Sequence, residues 1–183
     1  MSKPMDKRRF VIPALFVATL LLGFGLQKLA TYGSQVESTM VDPHVASGDL
    51  SGESRLVHQQ FQQAVALLQE GQFEFAVQGF HEVLKLVPDL PEAHVNMGFA
   101  LLGLEKFSAA QDFFDSATNI RPSQSNAYYG LAVAHEGLGD LQQAVVTMRA
   151  FAHIAEQDDP FRRKAESAIW EWEAALAAQD NDE

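Results

Sequence analysis

Six histidines, at positions 44, 58, 81, 94, 135 and 153, are the side chains of this chain best suited to acid–base or metal chemistry near neutral pH. His81-Glu82 and His135-Glu136 open like a zinc-protease helix, where two imidazoles one turn apart hold the metal and the glutamate acts as base. The residues four positions on are Lys85 and Gly139, so neither pair is completed. There is no cysteine, which excludes disulfides, thiolate catalysis, Cys-ligated zinc and a lipid-modified N-terminal Cys. No glycine loop of the phosphate-binding kind and no Gly-x-Ser-x-Gly elbow is present. The expectation is no catalytic residue, no metal site and no cofactor, with His135 a satisfied, half-buried imidazole.

The remaining chemistry is that of surfaces. The chain has 183 residues, 47% of them hydrophobic, enough for one packed domain and an extra segment. Its formal net charge is -11, from 13 Lys and Arg against 24 Asp and Glu, so it lacks the basic face that a nucleic-acid binder needs. The charge is uneven. Lys3, Lys7, Arg8 and Arg9 outweigh Asp6 in residues 1–9, whereas residues 31–183 are strongly acidic. Between these lies FVIPALFVATLLLGFGL, residues 10–26, without a charge. Extended to Ala30 as a helix it measures about 31 Å, the hydrocarbon thickness of a bilayer. A secretory signal has a shorter apolar run and a small-residue cleavage site, which LQKLATYGSQ does not supply. Residues 10–30 are therefore expected as a retained transmembrane signal-anchor helix. By the positive-inside rule residues 1–9 stay cytoplasmic and the rest lies outside the cytoplasm, in the periplasm of a bacterium with such an inner (cell) membrane. Small residues four apart, Ala14/Ala18 and Thr19/Gly23, allow dimerisation through this helix but support it weakly. Residues 31–55, rich in Ser, Gly, Asp and Thr and containing His44, are expected to be a flexible linker.

An internal repeat sets the fold. Phe73 and Phe107, Ala76 and Ala110, Phe80 and Phe114, and Pro88 and Pro122 are each 34 residues apart, and one further step reaches Leu141, Ala144 and Met148. Each unit reads as a helical hairpin. Pro91 and Glu92 open a helix at its donor-rich end, Gly71 and Gly139 make turns, and Pro88 and Pro122 follow second helices. One hairpin cannot cover its apolar faces, so three must stack.

This pattern resembles the tetratricopeptide repeat. On that family's frame the units span 57–90, 91–124 and 125–158, within a domain 56–158. The frame is filled by Leu67, Gly71, Ala76, Phe80 and Pro88, then Gly98, Leu101, Ala110, Phe114 and Pro122, then Leu131, Ala132, Gly139, Ala144 and Met148. Gln60, Gln63, His135, Phe151 and Glu156 depart from it. The resemblance implies an all-α fold: a right-handed superhelix of three hairpins, here preceded by one transmembrane helix. A segment at 159–178, capped by Asp159 and opened by Pro160, reads as a C-terminal capping helix whose stripe is Phe161, Ala165, Ala168, Ile169, Trp172 and Leu176. Residues 179–183 are expected to fray.

The resemblance also implies a ligand groove along the first helix of each unit. Carried over, it places Phe61, Val65, Leu68, Val95, Asn96, Phe99, Leu102, Tyr129 and Val133 on a concave face, an exposed apolar strip that a protein partner can occupy or that the linker or capping helix can cover. Members that grip a C-terminal carboxylate use Lys and Arg in the groove; here only Asn96 fits that scheme. Trp170 points about 180° away from the Trp172 stripe, a possible secondary surface, or a ring lying over Arg163. In architecture the chain resembles membrane-anchored periplasmic tetratricopeptide proteins of envelope assembly, such as those of cytochrome c maturation, and this resemblance implies a membrane-tethered scaffold or adaptor that binds a protein partner and supports assembly of an envelope complex. The alternatives are a permanent structural subunit of a membrane complex, and an accessory that delivers a metal or cofactor through His58 or His94.

Overall fold

The computed structural model describes residues 50–180. These form seven helices in chain order: α1 Leu50–Gln69, α2 Phe73–Leu86, α3 Pro91–Gly103, α4 Phe107–Ile120, α5 Ser125–Leu138, α6 Leu141–Ile154 and α7 Arg162–Asp180. Each packs against the next, and α3 also touches both α1 and α5. That is the contact pattern of stacked hairpins, in which α1, α3 and α5 form one layer and α2, α4 and α6 the other. Among the described residues no helix is long and apolar enough to cross a membrane. The expected cytoplasmic segment 1–9, the anchor 10–30 with its dimerisation pairs, the linker as far as residue 49 and the last residues 181–183 lie outside the described residues.

The hairpins close as the repeat requires. Gly71 and Gly139 take φ of 74° and 84°, the left-handed region that ends a helix at little cost only for glycine. The corresponding residue of the middle unit is Glu105, held at φ 56° although it carries a Cβ. Pro91 stands in the first turn of α3 with Glu92 behind it. Asp140 caps α6, its Oδ1 accepting the Gln143 N–H at 3.0 Å.

The core is the repeated pair of second-helix residues. Ala76 and Phe80, Ala110 and Phe114, and Ala144 and Met148 are at most 1% exposed. Alanine lets the paired helix approach; the large side chain one turn on fills the space between layers, each burial stabilising by roughly 1.5–3 kcal/mol. Phe114 reaches furthest. A Cβ added to Gly98 would lie 2.7 Å from its ring, and one added to Gly130 would lie 2.2 Å from it. The ring therefore sits between α3 and α5 because both offer bare backbone.

Three expected boundaries move. Helix α1 starts at Leu50, inside the segment 31–55 expected as linker. Once a packed helix is nucleated, each added residue costs only its propensity, and composition alone does not register that. The capping helix begins at Arg162 rather than 159, because Asp159 and Pro160 form a turn first. The Asp159 carboxylate accepts the Phe161 N–H at 2.8 Å, and its carbonyl accepts the Arg162 N–H at 3.1 Å. At the other end α7 runs to Asp180, so Gln179 and Asp180 are helical, not part of a frayed tail.

Candidate functional site

The residues expected to line an exposed strip are mostly buried. Val65, Leu68, Val95, Phe99, Leu102, Tyr129 and Val133 are all at most 7% exposed. The reason lies in the pairing of the layers. Phe99 meets Phe114 edge to face at 5.1 Å between centroids, and Tyr129 meets Phe151 at 5.2 Å and Phe161 at 5.8 Å. Large rings on the first helices turn into the seams between helices, where they gain contacts that a wide groove would forfeit. Phe61 and Asn96 remain half-buried, with Phe61 edge-on to Phe80 at 5.8 Å. The glycines of this layer are taken up in the same way. A Cβ on Gly103 would come within 2.5 Å of Phe73, and one on Gly137 within 2.3 Å of Phe107. The second helices of the first two units thus each send their first ring onto the next unit's glycine. The spacing of the two pairs, again 34 residues, was present in the sequence and carries that signal.

Polar groups hold the ends of this face. Glu92 on α3 pairs with Arg121 after α4, whose guanidinium also donates to Gln124 at 3.1 Å. The Gln124 amide in turn donates to Asn126 of α5 at 2.9 Å. The chain of bonds ties the start of the second unit to the start of the third. At the far end of α5, the Trp172 indole N–H of α7 donates to Glu136 Oε1 at 3.0 Å. Burial pushes the Glu136 carboxyl up to about 7, against the lowering effect of the Trp172 bond, and Glu171 adds to the rise. Tyr129, two turns earlier, is pushed up to about 12 by burial and then by Glu136.

Two histidines have packed surroundings, His94 and His135. The His94 ring bonds through Nε2 to the Pro88 carbonyl at 2.7 Å and leans on Phe113. Its Nδ1 is buried without a partner among the described residues. His135 is half-buried on α5 and faces Asp115, whose carboxyl burial raises despite the imidazole. Among the described residues no three His, Asp or Glu side chains gather as a metal site needs. His58 is exposed on α1. Trp170 is 71% exposed. Among the described residues no cation lies over it; the cation over a ring is Lys164, 5.2 Å from the centroid of Phe161. The Arg163 stacking expected for Trp170 is thus absent among the described residues.

No protein-family model matches the chain, and no curated protein matches it. Solved structures do. The described helices are similar to the first tetratricopeptide domain of Spaghetti (RPAP3) bound to the HSP90 peptide SRMEEVD, with TM-score 0.61, 19% identity, and coverage of 66% of this chain and 93% of that one. They are similar to the Yersinia enterocolitica type III secretion chaperone SycD in complex with a peptide of the translocator YopD, with TM-score 0.63, 13% identity, and 67% and 95% coverage. The TPR2B domain of yeast Sti1, in a pHsp70 complex, gives TM-score 0.60, 17% identity, and 67% and 98% coverage. At these identities the likeness establishes the fold alone: three stacked hairpins of the tetratricopeptide kind, followed here by α7.

Proposed function

We propose that this protein is a binding scaffold: its stacked hairpins take an extended or helical segment of a partner protein along the face formed by α1, α3 and α5. The observation that carries this is the arrangement of that face. Half-buried Phe61 and Asn96 lie on a layer of buried rings, with the polar chain Glu92–Arg121–Gln124–Asn126 at one end of it. A preformed apolar layer with a few placed polar groups is what peptide recognition uses. The peptides named in the similar structures, from HSP90 and from the translocator YopD, support a segment as the ligand class. The basic groove side chains that grip a terminal carboxylate are missing from the corresponding positions, so an internal segment with apolar side chains fits better than a free C-terminus. The protein acts without chemistry of its own, and it needs no cofactor.

The uncharged run 10–26 with its basic flank supports a tethered scaffold, with residues 1–9 in the cytoplasm and the hairpins on the outer side of the membrane. Assembly of an envelope complex, or permanent membership of one, is the role such tethering suits. Crosslinking in native membranes, followed by purification of the full chain and mass spectrometry, tests the reading. One partner in fixed ratio supports it, and a subunit differs from a transient adaptor in remaining stoichiometric after detergent extraction. Recovery of the chain alone, under conditions that crosslink its membrane neighbours, contradicts it.

A further inference from the structure

The last helix does more than end the stack. Helix α7 packs along α6, and two large side chains, Phe161 just before it and Trp172 on it, reach across to α5. Phe161 meets the Tyr129 ring at 5.8 Å, and Trp172 bonds to Glu136 at 3.0 Å. Tyr129 and Glu136 are seven residues apart on one face of α5, with Val133 between them. These are the third unit's share of the concave face. Like α1 at the other end, α7 ends the described array, so it has a neighbouring layer on one side only. Its stripe includes two alanines, Ala165 and Ala168. Its ion pair to α6, Arg149 with Glu173 at 2.5 Å, is exposed, and such pairs contribute at most about 1 kcal/mol.

We propose that α7 is a displaceable lid over the third unit's end of the concave face, so that α7 and a bound partner segment compete for Tyr129, Val133 and Glu136. The competition rests on the binding reading above; the opening of the lid does not, and is measured without a partner.

The bond that closes the lid is a poor one at neutral pH. The groups facing Glu136 are Tyr129 on its own helix and Glu171 and Trp172 on α7. From α4, Asp115 faces the neighbouring His135. From α6, Arg149 is engaged by Glu173. Among these groups no cation offsets a Glu136 carboxylate. With the lid closed its carboxyl titrates at about 7; the more opening exposes it to water, the closer it returns to its ordinary value of 4.5. The closed state therefore binds the proton more tightly. Closure is fully supported below the lower value and weakens as pH rises through the upper one, by at most about three-hundredfold in the open-to-closed ratio.

Both tryptophans of the chain are on α7, which makes the lid directly visible. In full-length Trp170→Phe, the remaining indole is Trp172, 5% exposed. Its fluorescence should shift to the red between about pH 5 and about pH 8, while far-ultraviolet circular dichroism stays helical. Glu136→Gln, which keeps an acceptor for the indole and removes the charge, should abolish the shift. Hydrogen exchange on the unsubstituted chain gives a second reading that needs no variant: α7 amides should gain exchange over α3 amides across the same range. Emission that stays blue throughout, with α7 protected like α3, overturns the proposal. So does a red shift that comes only with loss of helix, since that is unfolding and not a lid.

Discussion

Phe114 and Gly130 interlock: the ring from α4 occupies the space where a side chain on α5 would begin, 2.2 Å from a Cβ built on Gly130. Phe114 is fully buried and cannot retreat. Gly130→Ala should therefore destabilise the stack by about 2–3 kcal/mol through overpacking, measured by urea unfolding. Gly137→Ala meets Phe107, a half-buried ring at a helix start, and should cost less. Equal losses at the two sites would show that the burial of the opposing ring does not set the penalty.

The turn of the middle unit predicts a gain. Glu105 holds the left-handed position that glycine holds in the other two hairpins. Glu105→Gly relieves about 1–2 kcal/mol of backbone strain and returns part of it as unfolded-chain entropy, leaving a stabilisation of roughly 0.5–1 kcal/mol. Gly139→Ala, with open space around its Cβ but φ 84°, should lose about 1 kcal/mol. Thermal unfolding of the two variants should move in opposite directions.

Stability should fall as the solution becomes less acidic. Glu136 has a folded-state value raised from 4.5 to about 7, so the folded protein holds this proton more tightly than the unfolded chain does. Its contribution is whole below about 4.5 and is lost as pH rises through about 7. Melting temperature should decline across that window, and Glu136→Gln should flatten the decline. A profile that rises through the window in the unsubstituted protein contradicts the assignment.

The face of α1, α3 and α5 is best probed at its half-buried positions. Phe99 and Tyr129 are 3% and 2% exposed, so truncating Phe99 to alanine should cost about 3–5 kcal/mol and would report folding rather than recognition. Asn96→Lys should leave the melting temperature within a few degrees and sharply reduce partner capture. Partner capture unchanged in Asn96→Lys, with the fold intact, would move the binding surface elsewhere.

The repeat made the hairpins legible because their determinants are local and periodic: Gly71, Ala76 and Phe80 recur with the same spacing in the next units, apart from Glu105 and Met148. The exposure of the concave residues was not legible. A frame position states which way a Cα–Cβ bond points from its helix; it does not say whether a ring at its end folds back into a seam, as Phe99 does against Phe114. The link from Trp172 to Glu136 joins residues 36 apart, the first of them on a helix outside the repeat register, and only the docked α7 brings them together. The early start of α1 at Leu50 was hidden for a related reason. Ser and Gly favour loops by composition, yet a helix already packed extends through them.

The most direct test places a photo-crosslinking amino acid at Asn96, on the concave layer, and in a second protein at Asp112, exposed on α4. Both full-length proteins are irradiated in their native membrane. The account predicts one dominant crosslinked protein from position 96, little from position 112, and loss of the position 96 product when the partner's segment is added in excess. Equal products from both positions, or a product from position 112 alone, would contradict it.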